Sequence, residues 1–213
     1  WDAVVSGGGV IGCAVARELS RYAGKVCLVE RNEDVCTGTS KANSAIVNAG
    51  FDAMPGTKKS RFNVEGSRMM EELSRELDFS YRRCGALVLC FEESGLPQLR
   101  ELLRRGEENG VEGLEILSGE RLRAMEPAVW APTSAIGCPF GLTIALAENA
   151  AANGIKFRFD TRVDAIRREG DHFVLSTTGG EMETRTVISA AGVYGDLLHN
   201  QLLPNDPRTI VPR

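Results

Sequence analysis

The chain opens on a short apolar run, Ala3-Val4-Val5, then three glycines, then a different rhythm. From Val10 to Tyr22 the apolar residues Val10, Ile11, Ala14, Val15 and Leu19 recur three and four positions apart, the spacing that places them on one face of a helix. A second apolar run, Val26-Cys27-Leu28-Val29, ends at Glu30. Runs without polar alternation predict strands buried on both faces. The first thirty residues therefore predict a β-α-β unit with parallel strands and a right-handed crossover.

Residues 32–55 show no period and are rich in Gly, Ser, Thr and Asn. Helical spacing returns over Thr57–Leu77, where Phe62, Met69, Met70 and Leu73 are among the apolar positions, and again over Leu96–Asn109 and Phe140–Asn153. Ser118–Met125 predicts a shorter helix stopped by Pro127, and Ala86–Phe91 a strand. Gly154 suits the left-handed position just past a helix end. Beyond it the period becomes two. Lys156-Phe157-Arg158-Phe159 alternates; Val163–Arg168 and His172–Thr177 predict a hairpin around Gly170-Asp171. Another turn at Thr178-Gly179-Gly180-Glu181, a strand over Thr186–Ala190 and a short helix over Gly195–Leu202 complete the pattern.

Composition narrows the class. Lys plus Arg is 25 and Asp plus Glu 29, a net charge of −4, which argues against a nucleic-acid partner. No segment nears the roughly 18 uninterrupted apolar residues of a membrane span, and no secretory signal precedes the first strand. The six cysteines form no C-x-x-C pair and there are two histidines, so no metal site is expected and the thiols read as buried, reduced groups of a cytoplasmic protein.

One motif carries chemistry. Gly7-Gly8-Gly9-Val10-Ile11-Gly12 fits G-x-G-x-x-G, with a strand before it and a helix after it. Gly7 permits the tight turn, Gly9 lets a pyrophosphate approach the backbone, and Gly12 lets helix and strand pack closely. Helix N-terminal amides and the helix dipole favour a diphosphate there. Glu30, 18 residues after Gly12 at the end of the second strand, can accept from both ribose hydroxyls of an adenosine and would repel a 2′-phosphate. This context predicts a dinucleotide-binding turn.

The pattern Asp2-x-Val4-Val5-x-Gly7-Gly8-Gly9-x-x-Gly12 with Glu30 resembles the FAD-binding opening of the D-amino-acid-oxidase-like FAD-dependent oxidoreductases. The stretch Gly38–Gly50 is similar to the branch of flavin-dependent glycerol-3-phosphate dehydrogenases and L-2-hydroxyglutarate oxidases, and Cys138-Pro139-Phe140 and Ile188-Ser189-Ala190-Ala191-Gly192 agree with it. The resemblance implies FAD as cofactor and α/β architecture, with a Rossmann-like FAD-binding domain and an incomplete α+β substrate domain. It implies that Gly7, Gly9, Val10, Ile11 and Gly12 hold the diphosphate and that Glu30 and Arg31 bracket the adenosine. Thr39 and Ser40 would reach the phosphates or ribityl chain, and Asn43, Ser44 and Ala45 would lie beside the flavin. Val163 would meet the adenine through its backbone; Ala190, Ala191 and Gly192 would pass close to the cofactor. On the residues alone, Thr39, Ser40 and Ser44 also fit turn and cap roles, Val163 a strand-core role, Arg31 a solvated turn charge, and Ala190–Gly192 ordinary strand-end packing.

The reaction implied is hydride transfer from a small hydroxy acid, glycerol 3-phosphate or amine to flavin N5, the donor being a small-molecule substrate and the electron acceptor left open. Asn48 stands where this branch often has a histidine. An amide is no base near neutral pH, so Asn48 is expected to contact flavin or substrate, and the catalytic base stays unassigned. The expected domains are 1–80 with 138–200 for FAD, 81–137 for a partial substrate cap, and 201–213 as the start of a continuation. Members of the branch are considerably longer, so the chain reads as a piece whose remaining strands, and any peripheral membrane contact, lie outside it. The alternative is a truncated or decayed dinucleotide-binding module without turnover.

Overall fold

The computed structural model describes residues 1–90, 92–117 and 128–211, with residues 128–130 described by their backbone alone. In chain order the elements are β1 (Ala3–Ser6), α1 (Val10–Leu19), β2 (Val26–Val29), β3 (Ile46–Val47), α2 (Lys58–Leu77), β4 (Tyr81–Arg83), β5 (Ala86–Leu89) and α3 (Leu96–Glu108). Then come β6 (Glu115–Ile116), β7 (Ala128–Ala131), β8 (Ala135–Gly137), α4 (Pro139–Ala152), β9 (Lys156–Arg158), β10 (Val163–Glu169), β11 (His172–Thr177), β12 (Gly180–Thr184), β13 (Thr186–Ser189) and α5 (Gly195–Leu202). The helix expected over Ser118–Met125 lies outside the described residues.

Contacts divide the chain into two compact units, Trp1–Asn43 with Pro139–Arg213, and Ser44–Cys138. The first holds a parallel sheet in the order β13-β1-β2-β9. β1 and β2 run in parallel register, Ala3 opposite Val26 and Ser6 opposite Val29, and all eight of their residues are buried. That is what their uninterrupted apolar runs demand, since helices or a second sheet must cover both faces of a parallel sheet. On one side α1 packs with α4, and the buried residues of the two helices are mostly small: Gly12, Cys13 and Ala16 on α1, and Thr143, Ala147 and Ala150, beside Leu146, on α4. Small residues on both helices allow close axes.

The other side is covered by an antiparallel sheet, β10-β11-β12, and by α5. Val4, Cys27 and Val29 from the parallel sheet pack with Ile166, Leu175, Met182 and Leu198 in one buried cluster. The predicted hairpin is present, Glu169 opposite His172. β12, whose first two residues fall in the turn predicted at Thr178–Glu181, extends it through Gly180–Thr184, with Met182 and Thr184 turned inward. The alternating segment at Lys156–Phe159 forms a strand over Lys156–Arg158: β9 pairs in parallel with β2 and forms an edge of the first sheet. α1 stops at Leu19, three residues before the predicted end, where the Ser20 hydroxyl donates to the Arg17 carbonyl at 2.7 Å and competes with helical continuation.

The second unit contains two three-stranded sheets, β3-β8-β4 and β5-β7-β6, with α2 and α3. Ala49, Val64, Val111 and Ala131 form its buried cluster. Thr57 caps α2, its hydroxyl oxygen accepting from Ser60 N–H at 3.1 Å. The Asn109 side-chain amide ends α3 by donating to the Gly50 and Ala53 carbonyls at 2.9 and 2.8 Å. Residues 44–80 group with this unit by contacts, whereas the sequence reading assigned them to the cofactor domain. No helix among the described residues is long and apolar enough to cross a membrane.

Candidate functional site

The first unit contains a cavity of about 790 Å³, and every residue lining it belongs to that unit. It opens at the carboxyl ends of the parallel strands, where Ser6 ends β1 and Gly7 follows it, Glu30 follows β2, Thr161 follows β9 and Ala190 follows β13. A parallel sheet gathers these ends on one edge, so residues far apart in sequence converge there.

The glycine turn forms one wall. Gly7 leaves β1 at φ +115°, where side chains are strained, and an added Cβ would lie 2.4 Å from the Ala190 carbonyl oxygen. A Cβ on Gly12 would lie 1.8 Å from the Gly7 carbonyl oxygen, so the first turn of α1 rests directly on the loop. Cys13 N–H makes the first intrahelical bond, to the Gly9 carbonyl at 3.0 Å. The N–H groups of Val10, Ile11 and Gly12 precede that ladder. Val10 N–H donates to Ser40 Oγ at 2.9 Å, so Ser40 caps α1 from a distant segment. The Asn43 side-chain amide in turn donates to the Ser40 carbonyl at 2.9 Å and fixes that segment.

Glu30 is buried in the wall. Its Oε2 accepts from Gly8 N–H at 2.6 Å and its Oε1 from Asn32 N–H at 3.0 Å. A carboxylate has about four acceptor directions, so two directions are left for other donors. A Cβ on Gly8 would come within 3.1 Å of Glu30 Cβ and Oε2; Gly8, a variable position of the motif, is small because Glu30 packs over it. Beyond Glu30, the Arg31 guanidinium carbon lies 4.4 Å from the centre of the Tyr194 ring, a cation–π contact between two lining residues. Arg162 and Asp164, also lining, pair at 2.6 Å. Beneath the turn, burial pushes the Cys13 thiol up to about 12, which excludes it as a nucleophile at neutral pH.

Of the residues singled out from the sequence, Gly7, Gly9, Val10, Ile11, Glu30, Arg31, Thr39, Ser40, Asn43, Val163, Ala190, Ala191 and Gly192 line this one cavity. Gly12 does not line it and acts beneath it through packing. Ser44, Ala45 and Asn48 belong to the second unit; Ala45 has φ +61° and Asn48 is exposed. The sequence reading passed over Asn32, Arg162 and Asp164, and one face of the last helix. Tyr194, Leu197, Leu198 and Gln201 all line the cavity. Their spacing of three, four and seven is the signal that marks a common face.

The residues present fit a dinucleotide: helix N-terminal amides and close glycines for a diphosphate, a buried carboxylate with acceptor capacity for a ribose, and a volume within the usual range for ligand pockets. Comparison with known proteins agrees. The family model described as DAO, FAD dependent oxidoreductase, matches residues 2–213. The chain is similar to a glycerol 3-phosphate dehydrogenase of Caloramator mitchellensis, 40% identical over 221 residues covering 100% of this chain and 46% of the relative. It is also similar to a mitochondrial L-2-hydroxyglutarate dehydrogenase of Caenorhabditis elegans, 28% identical, covering 92% of this chain and 48% of the relative. Among solved structures, that of the L-α-glycerophosphate oxidase of Mycoplasma pneumoniae, dithionite-reduced with FAD bound, superimposes with a TM-score of 0.87 at 29% identity, over 94% of this chain and 56% of that one. The chain spans about half the length of the curated relatives it matches. With a family model matched over all but its first residue, the chain belongs to the DAO family of FAD-dependent oxidoreductases.

Proposed function

We propose that the chain carries the FAD-binding part of a dehydrogenase or oxidase that acts on a small CH–OH donor, with glycerol 3-phosphate as substrate and L-2-hydroxyglutarate as the next choice. The observation that carries the reading is the convergence of the glycine turn, Glu30 and the β13 end on one cavity. The choice of donor rests on the names of the relatives.

In this reading the Ile11 amide and the Ser40 hydroxyl, which Val10 N–H holds in place, bind the diphosphate, and the remaining acceptor directions of Glu30 take the adenosine ribose hydroxyls. Arg31 and Tyr194 flank the adenosine, and the Val163 backbone meets the adenine. Ala190, Ala191 and Gly192 keep the strand end narrow beside the cofactor. FAD, when bound, supplies the two-electron acceptor that no side chain provides. Cys13, Cys27 and Cys36 are buried thiols, which supports a reducing, cytoplasmic compartment.

A second reading, a dinucleotide-binding module without turnover, is favoured by Asn48, whose amide cannot take the proton of a hydroxyl donor. One experiment separates the two. The protein is reconstituted with FAD, freed of excess cofactor, and mixed anaerobically with glycerol 3-phosphate, L-2-hydroxyglutarate, glycine or proline. Bleaching of the bound flavin by glycerol 3-phosphate is the expected result. Retained flavin that no donor bleaches supports the binding module, and a chain that retains no flavin defeats both readings.

A further inference from the structure

β10 is an edge strand of its sheet, in the order β10-β11-β12, and its register against β11 shifts between Val163 and Ala165. That irregularity lies in the segment Arg162–Asp164, which lines the cavity. A bulge at a sheet edge needs something to fix it, because an extra residue loosens the ladder on one side and an edge has no ladder on the other. Here the missing partner is a side chain. The Gln201 Oε1 on α5 accepts from Ile166 N–H at 2.9 Å, and its Nε2 donates to the Asp164 carbonyl at 3.3 Å. A parallel strand bonds in the same way, one residue taking the N–H after and the C=O before the residue it faces. The Gln201 amide therefore substitutes for a strand opposite Ala165.

Two further features place this contact where it bears on the ligand. Gln201 itself lines the cavity, on the same face of α5 as Leu197 and Leu198 and beside Tyr194, the residue before the helix. One turn back, Leu198 packs in the cluster that holds Ile166, so the helix is anchored against the strand it braces.

From this we infer that Gln201 is a positioning residue for the adenine end of the cofactor cavity: by pairing with the edge of β10 it holds the Arg162–Asp164 segment in register. The inference rests on the FAD reading above and adds a residue to it. Gln201 contributes little to the diphosphate end, which the glycine turn and Ser40 build from other elements.

The test uses ADP and inorganic pyrophosphate as separate probes, titrated calorimetrically into the chain and its Gln201→Met variant. Methionine keeps the length and removes both hydrogen bonds. Loss of two such bonds predicts roughly tenfold weaker ADP binding, unchanged pyrophosphate binding, and faster hydrogen exchange at the Ile166 amide. Equal ADP affinity, or equal weakening of both probes, would overturn the proposal, the latter because it indicates a merely structural role. Should Gln201→Met fail to fold, Gln201→Glu retains the acceptor for Ile166 and is expected to weaken ADP several-fold with pyrophosphate unaffected; parity with wild type for ADP overturns the idea. A wild-type chain that binds neither ADP nor FAD sinks the FAD reading first, and this one with it.

Discussion

Glu30→Gln asks whether this carboxylate builds the turn before any ligand arrives. The substitution keeps the shape of the side chain and removes its charge and one acceptor. In the native site one oxygen accepts from Gly8 N–H at 2.6 Å and the other from Asn32 N–H at 3.0 Å. However a glutamine amide turns, its NH₂ must face one of those two donors. The shorter contact should keep the oxygen, leaving Asn32 N–H against a second donor. A hydrogen bond to a charged group contributes about 1.5–3 kcal/mol, and an orphaned buried donor costs a similar amount; because these describe one event, about 2–3 kcal/mol is the expected loss. For a chain of this length that corresponds to roughly 5–10 °C in the melting midpoint. The assay is thermal denaturation of the cofactor-free chain followed by circular dichroism, with amide exchange at Gly8 and Asn32 read by NMR. Exchange at Asn32 should accelerate by about an order of magnitude or more, and that at Gly8 much less. A variant that melts within a degree of wild type, with unchanged exchange at both amides, would falsify the assignment and leave Glu30 with a ligand-only role.

Other perturbations follow from the same geometry. Gly12→Ala sets a methyl 1.8 Å from the Gly7 carbonyl oxygen, a backbone atom with little freedom to retreat, so the cofactor-free chain should lose at least about 3 kcal/mol in urea denaturation. Gly66→Ala, in the middle of α2 where an added Cβ meets nothing within 4 Å, should instead gain about 1 kcal/mol in the same assay. Burial raises the Cys13 thiol from 9.0 to about 12, so between those values the unfolded chain has lost a proton that the folded chain keeps. Stability must fall as pH rises through that window, and Cys13→Ala should flatten the decline by up to about 1.4 kcal/mol per pH unit, measured by denaturation at a series of pH values. The buried Cys13 should also resist alkylation near neutral pH while the exposed Cys84 reacts, as mass spectrometry of the labelled chain will show.

The parts of the fold legible in the sequence are those whose pattern has one physical solution. Val26–Val29 admits nothing but a strand buried on both faces, and it forms over those four residues. The helices at 58–77, 96–108, 139–152 and 195–202 follow their apolar period to within a residue or two of the predicted ends. Strands of two or three residues, such as Ile46–Val47 and Glu115–Ile116, carry too little alternation to register; pairing partners define them. β12 was hidden because Gly179-Gly180 signals a turn, which it is, while the strand begins at Gly180 and places Met182 in the core. β9 looked half-buried because it is an edge, and alternation alone does not tell a parallel edge from a hairpin arm.

The candidate site divides along the same line. Its glycines and Glu30 were legible because each answers a local demand: a positive φ, a close approach, a carboxylate at a strand end. Asn32, Gly8 and Gln201 were not, because each acts on a backbone group whose need arises only once the chain has folded. Gly8 must be small because Glu30 turns back over it, and Glu30 turns back because Gly8 N–H has no ladder partner at the exit of β1. Val10 N–H meets the same shortage at the start of α1 and is answered by Ser40, thirty residues on. An amide-rich turn exposes more donors than its own strand and helix can satisfy, and unsatisfied donors inside a protein are costly. The surplus that makes the turn attractive to a diphosphate is thus the surplus that recruits Glu30 and Ser40 to its walls. The residues proposed to bind and the residues that build the turn coincide here because a single excess of N–H groups calls for both.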